Sequence, residues 1–195
     1  FRWRNPGVDH YRLIVTELLL QRTRAETVAA FEVAFFDQFR CWSDIVSTPE
    51  TEIVNALAPI GLQTRRASVL KRLANKMSQL SNVVPNSRED IEDLPGVGQY
   101  IANAIELLVL DRSRPLLDTN MARLLERFIR PRTLADIRHD PWLQASAQYL
   151  VEQGDPRTIN WAVLDFAAAV CKPRVPACDM CPVSIDCTFF VSTPS

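Results

Sequence analysis

Apolar residues recur at helical spacing along almost the whole chain. YRLIVTELLLQ (11–21) follows an Asn5-Pro6-Gly7 opening and carries a continuous apolar surface, and AETVAAFEVAFFDQF (25–39) sets Val28, Phe31, Phe35 and Phe39 three or four residues apart. The same spacing predicts helices over 50–57 and 64–80, the latter opened by the basic TRRA, and over 99–110, 119–129, 141–153 and 158–170. Within VVPNSREDIEDL, Ser87 lies three residues before Asp90 and marks a helix start of the capping-box kind, with Asp in place of the preferred Glu. There is no long alternating pattern and no repeat at a fixed period. Pro115 marks the passage between two helical units. The expected fold class is all-α.

With 195 residues and 47% hydrophobic content, the chain can build its core without a staple. Twenty-two Lys and Arg stand against 23 Asp and Glu, for a net charge of -1, which argues against coating nucleic acid through global charge and leaves room for a local basic face. No apolar run is long enough to span a membrane and no charged start precedes a short apolar one, so a soluble, intracellular protein is expected. The chain opens on Phe1 rather than Met, which leaves its native N-terminus and any targeting signal open.

Cys41 stands alone, whereas Cys171, Cys178, Cys181 and Cys187 follow C-x6-C-x2-C-x5-C among Pro173, Pro176 and Pro182. The close pair can turn two thiolates onto one centre and the longer arms can close a four-ligand cage. Zinc and [4Fe–4S] both suit four thiolates, and a disulfide pair or buried free thiols are the plainer alternatives. Lys172 and Arg174 can point outward, to meet phosphate or simply water. In LPGVG, Gly96 and Gly98 permit a tight turn whose N–H groups can face a phosphate beside the next helix, and Leu94 at its start is a DNA-binding candidate with them.

TELLLQRT (16–23), IGLQTRRA (60–67), LPGVGQYIANAI (94–105), LLDTNMARLLER (116–127) and the four cysteines together resemble the helix–hairpin–helix DNA glycosylases of the endonuclease III superfamily, over essentially the full length. The resemblance implies a two-domain all-α fold with a DNA cleft: residues 9–112 form a central helical domain with the hairpin, and 1–8 with 113–195 form a domain carrying the iron–sulfur loop. It assigns a [4Fe–4S] cluster to Cys171, Cys178, Cys181 and Cys187, and a catalytic role to Asp118. Independently, Asp118 immediately precedes an apolar-periodic helix, where its carboxylate can accept backbone N–H groups and stay ionised. Such an anion can stabilise a cationic sugar or orient water; a helix cap alone is the plainer reading.

Bifunctional members carry at the position of Tyr100 a lysine that attacks the sugar and forms a Schiff base. Tyr100 has no amine, and Lys71 and Lys76 lie in another predicted helix, so hydrolysis without efficient strand cutting is implied. Tyrosine here resembles the G:T mismatch branch, whereas the adenine-removing branch usually has serine. Glu17, inside LIVTELLL, is costly to bury ionised unless paired or used; the resemblance favours a pocket carboxylate. Gln21 lies one turn beyond Glu17 and by family position enters the gap left by a flipped base, with Arg22 touching the orphan base or its backbone. Arg24, Arg65 and Arg66 can extend a basic face, although solvation explains each equally well.

The implied activity is release of thymine or uracil mispaired with guanine. Adenine release from A:G or A:oxidised-G pairs, modified-cytosine processing and non-catalytic binding to DNA structure are the alternatives. Adenine-removing relatives carry a further C-terminal recognition domain, whereas this chain ends eight residues after Cys187, which favours the pyrimidine reading. Double-stranded DNA containing a mismatch or modified base is the expected partner, with no membrane association. A monomer in the cytoplasm or on the nucleoid is expected.

Overall fold

Asp9, four residues beyond the Asn5-Pro6-Gly7 opening, sets the start of the first helix: its carboxylate accepts Arg12 N at 2.8 Å, and α1 runs His10–Leu20. The structure, a computed structural model, describes residues 1–192, so the last three positions of the expected 113–195 segment lie outside the described residues. Every regular element among the described residues is helical. The chain continues through α2 (Ala25–Gln38), α3 (Trp42–Ser47), α4 (Glu50–Leu57), α5 (Gln63–Gln79), α6 (Arg88–Glu92), α7 (Gln99–Leu108), α8 (Thr119–Phe128), α9 (Pro141–Val151), α10 (Pro156–Ala169) and α11 (Thr188–Ser192). None is long and apolar enough to cross a membrane. Two compact units emerge, Phe1–Ile105 and Glu106–Ser195.

In the first unit α1 is buried at every position from Ile14 to Leu19, polar Thr16 and Glu17 included, so its apolar residues are not confined to one stripe. Phe35, Phe39, Ile45, Leu57, Leu73 and Met77 join it in the core. The Tyr11 hydroxyl donates to Phe39 O at 2.8 Å and ties α1 to the end of α2. Helix α5 packs on α3 and α4. Its Lys71 amine donates to the carbonyls of Ile45 (3.0 Å), Val46 (2.7 Å) and Thr48 (2.5 Å), closing the C-terminal end of α3 with a cation.

The cap expected at Ser87 forms, with Asp90 N donating to Ser87 Oγ at 3.1 Å. The return bond is different: the Asp90 carboxylate accepts from the Ser87 hydroxyl at 2.5 Å, because Asp is one methylene shorter than Glu. α6 leads through LPGVG into α7. Gly96 has φ +84°, and a Cβ there would sit 2.3 Å from Val69 Cγ1 and 3.3 Å from Leu18 Cδ2. Conformation and close approach both demand glycine at this point.

In the second unit, Met121, Leu125, Leu143, Ala147 and Val151 form the core between α8 and α9, with Val163 of α10. α10 begins at Pro156, two residues before its expected start, because Asp155 caps Thr158 N and proline suits the first turn. The fully buried Asp140 accepts from Thr133 N, Leu134 N and Leu143 N, ordering the loop before α9. Buried Asn160 accepts Leu116 N at 2.6 Å and donates to Arg114 O and Pro156 O, which pins the segment leading into Asp118.

Candidate functional site

The end of α1 and the hairpin meet within the first unit. Gln21 ends α1, is exposed, and its Nε2 donates to Gly96 O at 3.5 Å, a long bond that still sets this side chain beside the turn. Arg22 follows with φ 58°, left-handed for a non-glycine residue, and is exposed, as are Arg24 and Arg65. Leu94 is buried and anchors the hairpin. A Cβ at Gly98 would meet nothing within 4 Å, so the space over the backbone there is open. Tyr100 is half-buried at the second position of α7. Arg66, expected on a basic face, is instead 7% exposed, and its guanidinium donates only inward, to Ile60 O, Gly61 O, Leu19 O, Gln21 O and Thr23 Oγ1.

Glu17 is buried on α1, and its Oε2 has no hydrogen-bond partner among the described residues. Burial pushes its pKa up to about 7, against the opposing charge of Arg4. Between the ordinary 4.5 and 7, the folded chain therefore holds a proton that the unfolded chain releases. Stability falls as pH rises through that window and stays lower above it, by about 3 kcal/mol. Glu17→Gln should accordingly stabilise the protein by about 1–3 kcal/mol at about pH 8 and change little at about pH 4. Urea midpoints at the two pH values measure this; an equal shift at both would show that the buried charge is not the cause.

In the second unit Asp118 is the N-cap of α8. Its Oδ1 accepts Asn120 N at 2.8 Å and Met121 N at 2.9 Å, and its Oδ2 accepts Asn120 Nδ2 at 2.6 Å. Three donors thus fix the orientation of this half-buried carboxylate at the helix N-terminus. Asn120 Oδ1 in turn accepts Arg123 NH2 at 3.1 Å, and Arg123 donates to Cys171 O at 2.8 Å and Ala167 O at 3.0 Å. One turn on, Arg127 reaches Cys171 Sγ at 3.5 Å, Lys172 O at 2.7 Å and Pro173 O at 2.8 Å, and lies over the Phe189 ring. Asn120, Arg123 and Arg127 were not singled out from the sequence. Their spacing of three and then four along LLDTNMARLLER was the available signal, since it lines one face of a helix whose other face is apolar.

Cys171, Cys178, Cys181 and Cys187 line one pocket with Leu124, Phe166 and Phe189. Partial burial, then the neighbouring thiols of Cys187, Cys171 and Cys181, push the Cys178 thiol up. Lys172 and Arg174 are exposed on the same loop, and Cys41 lies apart, 2.9 Å from Ser43 Oγ. No three His, Cys, Asp or Glu among the described residues are grouped to hold a metal ion. Four half-buried thiols around one shared apolar pocket are a donor set that zinc or an iron–sulfur cluster can take.

Comparison with known proteins bears on both units. A thymine/uracil-DNA glycosylase of Methanothermobacter thermautotrophicus is 35% identical over 191 residues, covering 97% of this chain and 86% of that protein. An adenine DNA glycosylase of Mycolicibacterium smegmatis is 29% identical over 188 residues, covering 93% of this chain and 62% of that protein. The solved structure of a thermostable thymine-DNA glycosylase superposes with a TM-score of 0.88 at 33% identity, over 99% of this chain and 89% of the other. Residues 15–138, which include the hairpin and Asp118, match the family described as HhH-GPD superfamily base excision DNA repair protein. The chain belongs to that superfamily and has its all-helical fold.

Proposed function

We propose that this protein is a monofunctional DNA glycosylase that hydrolyses the N-glycosidic bond of thymine or uracil mispaired with guanine and leaves an abasic site. The likeness to the thymine/uracil-DNA glycosylase over nearly the whole chain carries this reading. Asp118, oriented by the donors of its cap, stabilises the sugar cation as the bond lengthens, and water completes the displacement. Asn120 fixes the carboxylate by its 2.6 Å bond and is itself fixed by Arg123. Glu17 lines the base pocket as a carboxyl able to hold or give a proton near neutrality, and Tyr100 packs against the flipped nucleotide.

Gln21 fills the gap left by the flipped base, and Arg22 meets the orphan nucleotide. Arg24, Arg65, Lys172, Arg174 and the open backbone at Gly98 take phosphates of double-stranded DNA. The protein acts as a monomer. Strand cutting through an imine is absent because no amine stands at position 100, and Lys71 spends its amine on the carbonyls that end α3.

The four cysteines hold a [4Fe–4S] cluster. Hydrolysis of a glycosidic bond needs no change of oxidation state, so the cluster supplies a crosslink that fixes the loop carrying Lys172 and Arg174. The chain's own residues do the rest: Arg123 and Arg127 bind the loop backbone from α8.

A second reading, adenine release, draws support from the Glu17 carboxyl near pKa 7, which suits protonation of a purine nitrogen, and from the adenine DNA glycosylase likeness. Single-turnover release from G:T, G:U, A:G and A:oxidised-G duplexes, read before and after alkali with borohydride trapping alongside, tests both. Alkali-dependent cleavage confined to G:T and G:U is expected. Adenine release would move the assignment, and a trapped covalent imine would overturn monofunctional chemistry.

A further inference from the structure

Arg66 is buried in a ring of acceptors that belong to two turns. One guanidinium nitrogen donates to Ile60 O at 2.8 Å and Gly61 O at 2.6 Å; another donates to Leu19 O at 3.1 Å, Gln21 O at 2.7 Å and Thr23 Oγ1. Each turn is followed or occupied by a non-glycine residue in the left-handed region, Leu62 at φ 52° and Arg22 at φ 58°. Such backbone costs on the order of 1–3 kcal/mol and persists only where its surroundings over-determine it. The fork of Arg66 is that determinant for the 19–23 turn: it draws the carbonyls of Leu19 and Gln21 inward while the Gln21 and Arg22 side chains stay exposed. A planar guanidinium can bridge two turns at fixed angles, whereas an ammonium, a single point with three donors, cannot.

We propose that Arg66 is the positioning residue for partner-strand recognition, setting where Gln21 and Arg22 meet the nucleotide opposite the excised base. The proposal rests on the reading of Gln21 and Arg22 given above. It assigns to a buried side chain, without DNA contact of its own, control over which opposing base licenses excision. The selected quantity is thus the choice of partner base rather than the chemical step.

The test compares single-turnover uracil release opposite guanine with release opposite a tetrahydrofuran abasic analogue, for wild type, Arg66→Lys, Gln21→Ala and the double variant. The wild-type ratio should favour guanine. Arg66→Lys and Gln21→Ala should each lower that ratio by about tenfold, the scale of one discriminating base contact, and the double variant should lower it no further than Gln21→Ala. A loss of rate on both substrates with the ratio kept, or a ratio lost in Gln21→Ala but kept in Arg66→Lys, would overturn the proposal. If Gln21→Ala keeps the ratio, the reading of Gln21 falls first and the proposal with it. Should Arg66→Lys not fold, Thr23→Val removes one acceptor of the fork and should lower the ratio in the same direction; an unchanged ratio in that folded variant would equally count against Arg66.

Discussion

Asp118→Asn should slow base release by about 100- to 1000-fold while the protein keeps its fold and its grip on mismatched DNA. The distinction matters because the proposed mechanism gives Asp118 two jobs. As the N-cap of α8 it accepts two backbone N–H groups, and asparagine is as good a cap, so stability should change by less than about 1 kcal/mol. As the anion facing a developing sugar cation it has no replacement in an amide. In addition, the Asn120 side-chain amide, which now donates to Oδ2 at 2.6 Å, can meet either end of the new amide, so the substituted group need not keep its orientation. Single-turnover rates and equilibrium binding measured on the same preparation separate the two jobs. Near-normal release with an intact fold would leave Asp118 a cap alone.

Cys178→Ser should remove iron from the purified protein and destabilise the second unit by several kcal/mol, since structural metal sites in small domains supply on the order of 10 kcal/mol. Past Ala169 the chain has little helix until α11, and its backbone is held mainly from α8, by Arg123, Arg127 and the carbonyls of Phe128 and Ile129 that Thr188 meets. Few of its side chains are buried, with Val175, Met180 and Ile185 about four-fifths exposed. Such a segment cannot offset its own ordering through apolar burial. Iron and acid-labile sulfide per chain, together with cleavage by trypsin after Lys172 or Arg174, measure the effect. Wild-type protein carrying stoichiometric zinc and no iron would refute the cluster assignment.

Local features carried much of the architecture in readable form. Ser87 and Asp118 precede their helices with side chains suited to cap them, and α4 falls where its apolar spacing put it. α3 escaped notice because six residues complete fewer than two turns, too few for a period, and because its C-terminal end is finished by Lys71, distant in sequence. The same physics hid Arg66. TRRA looks like solvated charge until the acceptors of its second arginine, carbonyls more than forty residues away, are in place. The Asn120–Arg123–Cys171 chain was hidden for a related reason: helical spacing shows that two residues share a face, but not what approaches that face.

Lys71 is committed to the end of α3, and only two other lysines, Lys76 and Lys172, occur among 22 basic residues; the remaining 19 are arginines. An abasic product opens to a reactive aldehyde, which condenses with primary amines. Guanidinium groups keep their charge at any physiological pH and are poor nucleophiles, so they grip phosphate without attacking that aldehyde. With Lys172 the one amine among the proposed phosphate contacts, a mainly arginine surface lets the proposed enzyme stay bound over its own product, shielding it for the next repair step, with few amines able to crosslink to it.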